Sequence, residues 1–229
     1  MTTKQFLPLP YGKDVYSELK GNGCYFVDKT PYLKELIDKD KSNVMLFTRP
    51  RRFGKTLFMS MVEYFLKINS ANPEDTILQQ KLFKDTKILE DREFCAKYMG
   101  QHPVISLTLK GVQGKTFKAA YYKLAELIVA KANEYSFLKD SQNLNDKEKA
   151  KFDLLCDEMY LKRADEEAQS YVTSAIISLA RMLYKHFKKQ VYVLIDEYDV
   201  PLAKAQSYGY HKDMVTLMSS FLGFLKDSQ

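Results

Sequence analysis

Thr48-Arg49-Pro50-Arg51-Arg52-Phe53-Gly54-Lys55-Thr56 stands between the apolar run Val44-Met45-Leu46-Phe47 and a helical pattern that sets Leu57, Met61 and Phe65 on one side. The expected reading is a strand, a tight turn and a helix. In such a turn the backbone N–H groups and the helix N-terminus face a phosphate, a lysine adds a mobile positive charge, and a threonine hydroxyl ligates magnesium. Gly54-Lys55-Thr56 alone is a weak signal, because the tripeptide arises by chance in many chains. The first glycine of G-x-x-x-x-G-K-[ST] is replaced by Arg49, which does not readily adopt glycine's positive φ, so the loop is expected to depart from the standard P-loop.

Context strengthens the reading. Far downstream the chain runs Val191-Tyr192-Val193-Leu194-Ile195-Asp196-Glu197-Tyr198-Asp199, an apolar strand pattern that ends in two adjacent acids. Carboxylates at such a strand end suit a metal's water shell and the activation of a water for attack on a γ-phosphate. An arginine-rich surface turn plus an ordinary strand end leaves this acidic pair unexplained. The expected roles follow: Arg52, Phe53, Gly54, Lys55, Thr56 and Leu57 bind nucleotide, with Lys55 on the β- and γ-phosphates and also counted as catalytic. Thr56 and Asp196 hold Mg2+. Glu197 is the candidate base that orients water, against the plainer reading of a salt-bridging or helix-start carboxylate. Asp199 lies beyond this pair as a candidate supporting partner.

Three segments together resemble a known family: Arg49-Pro50-Arg51-Arg52-Phe53-Gly54-Lys55-Thr56, the upstream Tyr25-Phe26-Val27-Asp28-Lys29-Thr30, and Leu194-Ile195-Asp196-Glu197-Tyr198-Asp199-Val200-Pro201. They are similar to the AAA-ATPase-like family of bacterial and archaeal proteins, whose members often carry a C-terminal PD-(D/E)XK-type nuclease-like domain. The resemblance runs from about Leu7 to the C-terminus, and the arginine-rich octet is its most specific part. In that family the first loop glycine is also commonly absent. The resemblance implies ATP binding and leaves biological role open. Tyr25, Phe26 and Asp28 form the family's N-terminal box, which on this reading flanks adenine or braces the phosphate loop; aromatic residues at a short strand are core by default. Nothing resembles the Asn-Lys-x-Asp guanine-reading motif, so ATP is expected over GTP.

A chain of 229 residues with 45% hydrophobic content can bury a sizeable core. The expected fold is α/β: a three-layer P-loop core with a mainly parallel sheet, and a largely helical insertion at about 116–188. Core strands are expected at Val44–Thr48, Pro103–Leu109 and Val191–Ile195, with a short strand at Cys24–Val27. Helices are expected over Asp14–Lys20, from Thr30-Pro31 to about Asp38, from Lys55 to about Ile68, over most of Thr116–Lys189, around Ala203, and from His211 to about Lys226. No strand pattern follows Asp199, so the chain is expected to be truncated before the sensor strand that ATPases of this kind place beside the acidic strand.

The net charge of +6 raises nucleic acid as a partner. Most lysines alternate with acids, as on a solvated helix face, and Arg49, Arg51 and Arg52 are better assigned to phosphates. Nucleic acid is therefore expected through a downstream domain rather than here, and a homo-oligomer is left open. Cys24, Cys95 and Cys156 are scattered and odd in number, which suggests reduced thiols rather than disulfides or metal ligands. His102, His186 and His211 are isolated. No signal sequence or membrane-length apolar run is seen, which predicts a cytoplasmic protein with no membrane partner. Two functions compete: an ATP-hydrolysing module that drives an attached effector, possibly nuclease-like by resemblance, and a regulatory nucleotide-binding scaffold with little turnover. Glu197 favours the first, because a binder needs the metal-holding Asp196 but no water-orienting acid.

Overall fold

The computed structural model describes residues 7–37, 44–48 and 53–225. The chain forms two compact units, Met1–Val104 and Ile105–Gln229.

The first unit is built from α1 (Tyr16–Gly21), α2 (Tyr32–Ile37), α3 (Lys55–Leu66), α4 (Ile77–Phe83) and α5 (Arg92–Tyr98). Its centre is aromatic. Tyr16 lies edge-on to Phe26 at 5.5 Å, Phe65 meets Phe83 edge-on at 5.3 Å, and Phe94 stacks on Phe65 at 5.7 Å. Polar bonds set the register of α1 on α3: the Tyr16 N–H donates to Ser60 Oγ at 3.0 Å, and the Ser17 hydroxyl donates to the Tyr64 hydroxyl at 2.9 Å. Beyond α3 the backbone turns extended at Lys67 and makes a single parallel bridge to His102.

Two expected strands do not form in this unit. Val44–Thr48 lies in neither sheet nor helix, and Leu46 is 67% exposed. Cys24–Val27 likewise forms no strand; the Tyr25 N–H donates to the Pro8 carbonyl at 2.8 Å. An apolar run becomes a strand only where a neighbouring backbone completes its ladder, which local sequence does not specify. The helix after Thr30-Pro31 forms, but it spans Tyr32–Ile37, and the Thr30 hydroxyl is engaged with Asp28 and Ile88.

The second unit takes in β1 (Val104–Thr108) from Ile105 onward, and α6 (Phe117–Asn133), α7 (Asp146–Cys156), α8 (Glu158–Leu161), α9 (Glu166–Phe187), β2 (Tyr192–Asp196), α10 (Val200–Tyr208) and α11 (His211–Phe221). β1 and β2 pair in a parallel sheet. The described sheet thus has two strands where a core of at least three was expected, although the mixed α/β character holds. Helices dominate because their starts are well capped: Thr116 accepts from the Ala119 N–H, Asp165 accepts from the Ala168 N–H, and Asn145 and Glu148 form a reciprocal capping box. The apolar stripes of α6 and α9 share one core with Ile105 and Leu107 of β1, Phe152 of α7 and Phe221 of α11.

Candidate functional site

Phe53 and Gly54 lead directly into α3, whose first residue is Lys55. Gly54 has φ 75° and ψ 25°, in the left-handed region, and among the described residues beyond its chain neighbours no atom lies within 4 Å of where a Cβ would sit. Glycine is therefore needed here for its backbone angle rather than for want of space. Its carbonyl accepts the Phe58 N–H at 2.9 Å, closing the first helical turn. The N–H groups of that turn point out of the helix end, where the backbone dipoles favour an anion. The first turn contains no acid to oppose one, and Lys55 is exposed beside it. Thr56 and Leu57, both half-buried, complete the turn. In the stretch 44–48 ahead of it, the Phe47 ring lies 5.7 Å from that of Phe58. Arg52, like Arg49 and Arg51, lies outside the described residues.

The acidic half is built at the end of β2. Asp196 is the last residue of the strand, and both it and Glu197 are half-buried. One carboxylate oxygen of Asp196 accepts the Glu197 N–H at 3.0 Å, which fixes the side chain at the strand end. Glu197 takes φ 54°, and its carbonyl accepts the Val200 N–H at 3.1 Å, turning the chain into α10 with Pro201 in the first turn. Left-handed backbone costs a residue with a Cβ roughly 1 to 2 kcal/mol. Asp85, Ala164 and Lys188 also carry it, so this angle is a cost of sharp turns and does not by itself mark a site. Asp199 is exposed and makes no side-chain bond at the start of α10.

Phe53 through Leu57 are thus gathered at one helix start in the first unit, and Asp196 and Glu197 at one turn in the second. Tyr25 and Val27 are exposed, and Phe26 packs on Tyr16. Asp28 accepts the N–H of Lys87, a bond that no local pattern announces; the Asp-x-Thr spacing signals only its turn with Thr30. Among the described residues no group of three or more His, Cys, Asp and Glu could hold a metal ion. His186 instead has its Nδ1 2.8 Å from the Ser141 hydroxyl, pinning a loop to the end of α9. The three cysteines are unbridged. No described helix is long and apolar enough to cross a membrane.

Compared with known proteins, residues 10–229 match the AAA-ATPase-like family, described as predicted AAA-ATPase. No curated protein matches the chain. No solved structure matches it either.

Proposed function

Because the chain belongs to the AAA-ATPase-like family, we propose that it binds ATP with Mg2+ and hydrolyses it, using the helix start at Phe53–Leu57 and the acidic turn at Asp196-Glu197. The observation that carries this reading is the left-handed Gly54 at the head of α3, which supports a phosphate cradle of backbone N–H groups beside Lys55. Lys55 would neutralise β- and γ-phosphate oxygens. The Thr56 hydroxyl and, separately, the Asp196 carboxylate are the candidate Mg2+ ligands, hard oxygen donors being what this ion takes. When bound, the ion draws off the negative charge that develops on the transferred phosphoryl group.

Glu197 would accept a hydrogen bond from the attacking water and set its line of approach. The turn that holds it is tied at both ends, by the Asp196 carboxylate and by the Val200 N–H, so the acid sits on a constrained backbone. Hydrolysis would serve a coupled effector, for which the resemblance offers a nuclease-like domain.

Replacing Glu197 by Gln separates binding from turnover, because Gln keeps the shape and hydrogen bonding but is no base. Glu197→Gln is expected to retain ATP affinity and lose turnover by about 10² or more. Unchanged steady-state hydrolysis would remove Glu197 from this role.

A further inference from the structure

From Ala168 to Ile195 the chain contains no Asp or Glu, yet it carries Arg181, Lys185, Lys188 and Lys189. Most lysines elsewhere alternate with acids, so this stretch, the greater part of which is α9, is an exception. Lys185 has an ordinary explanation, because it pairs with Glu148 of α7, and positive charge in the last turn of α9 complements the helix dipole. The dipole's influence fades within one turn and does not account for Arg181.

The Glu148–Lys185 pair sets the register of α7 on α9, and one turn on Lys151 comes beside Arg181. Lys151 is half-buried. Its ammonium lies 5.7 Å from the centre of the Tyr171 ring, which Tyr160 meets edge-on at 5.5 Å. Among the described residues neither Lys151 nor Arg181 forms an ion pair. Neighbouring acids are committed elsewhere: Glu148 to Lys185 and the Asn145 N–H, Asp153 to Lys139, and Asp165 to Arg163. Burial and the adjacent guanidinium hold the Lys151 ammonium below its ordinary value. Two like charges kept together with no acid between them repel, and an anion seated against both relieves that repulsion.

The charge continues along the surface. Arg181, Tyr184 and Lys188 follow one another at spacings of three and four, which places them on one side of α9, and the Tyr184 ring is 56% exposed. Lys147, one turn before Lys151 on α7, is exposed as well. A bare phosphate or an acidic peptide is satisfied by cations alone. An exposed ring set among them suits a chain of phosphates with unpaired bases, whose backbone follows the cations while a base stacks on the ring. A duplex offers no free base face to such a ring.

We propose that the outer side of the α7 and α9 pair, formed by Lys147, Lys151, Arg181, Tyr184 and Lys188, binds single-stranded nucleic acid, with Tyr184 a stacking platform for one base.

Anisotropy of a fluorescein-labelled oligothymidylate of about 15 nucleotides, titrated with the full chain in the absence of ATP, tests the site. Four cations releasing about 0.7 counterion each give the wild type an expected slope of about −2.8 in log affinity against log salt. Lys151→Gln/Arg181→Gln is expected to make that slope shallower by about 1.4 and to weaken binding more than about tenfold at low salt. Tyr184→Ala is expected to weaken binding about tenfold and to leave the slope unchanged. Because Lys151 is half-buried, Lys147→Gln/Lys188→Gln, at two exposed positions, forms a second arm with the same expected change of slope. The control Lys204→Gln/Lys212→Gln removes equal charge from exposed positions on α10 and α11 and is expected to bind within about twofold of wild type. No binding by the wild type, wild-type affinity and slope in both arms, or an equal loss in the control overturns the site. Polyglutamate or a duplex that competes as well as unlabelled oligothymidylate overturns the single-strand assignment, as does a Tyr184→Ala chain with wild-type affinity.

Discussion

Asp28 carries its charge into a partly covered corner, and what it meets there decides how it titrates. Burial works against the charged form, yet the Lys87 N–H and the N–H and hydroxyl of Thr30 outweigh it and hold the carboxyl below its ordinary range. A carboxyl with a folded pKa below its unfolded one stabilises the fold above the unfolded value and loses that contribution as pH falls through the folded one. The stability difference between wild type and Asp28→Asn is therefore expected to be flat from about pH 5 to 7 and to narrow below about pH 4. Urea unfolding at a series of pH values measures it, and a difference that widened in acid would contradict the bonding seen here. Asp28 was visible in the sequence as part of a motif, but not its partner Lys87, because residues that far apart meet only through the fold. Gly54 was legible as the glycine of a Gly-Lys-Thr run ahead of a helical pattern, but its left-handed angle was not, because the residue before a helix ordinarily has extended backbone. Nothing about Glu197 signalled its own left-handed backbone, since an acid after a strand is ordinarily free to choose a common conformation.

Helices were the most readable pieces because both their stripes and their stops are written locally. α3 starts at Lys55 as expected and ends at Leu66, and α9 ends at Phe187 with a left-handed Lys188. α7 shows why such starts are sharp. Asn145 accepts the Glu148 N–H at 3.0 Å while the Glu148 carboxylate accepts the Asn145 N–H at 3.1 Å. Asn145→Ala should cost about 1 kcal/mol, read as a lower urea midpoint with an unchanged slope; an unchanged midpoint would mean that the cap contributes nothing. Strands were readable only in part. Pro103–Leu109 and Val191–Ile195 yielded β1 and β2 to within a residue or two, whereas the equally apolar Val44–Thr48 formed no strand. Apolar pattern reports a wish for burial; the partner that grants it lies elsewhere in the chain.

The division at Val104 and Ile105 was not legible at all, because it falls inside β1 and follows contact density rather than any linker composition. Sequence reasoning set a mainly helical insertion near 116–188, and the helices α6, α7 and α9 of that stretch share a core with β1 and α11. The candidate site residues were named from short motifs, and the first unit sets Phe53–Leu57 at the start of α3, while the stretch 44–48 ahead of them forms no strand. The family match over residues 10–229 agrees with the resemblance those motifs carry.

Nucleotide binding is the claim on which the rest depends, and Lys55 is its most exposed point. Calorimetric titration of ATP–Mg2+ into wild type and Lys55→Ala tests it most directly. Loss of the charge-assisted phosphate contact is worth roughly 1.5 to 3 kcal/mol, so the variant should bind about tenfold to more than a hundredfold more weakly. Equal affinity in the two chains, or no binding by wild type, would contradict the account.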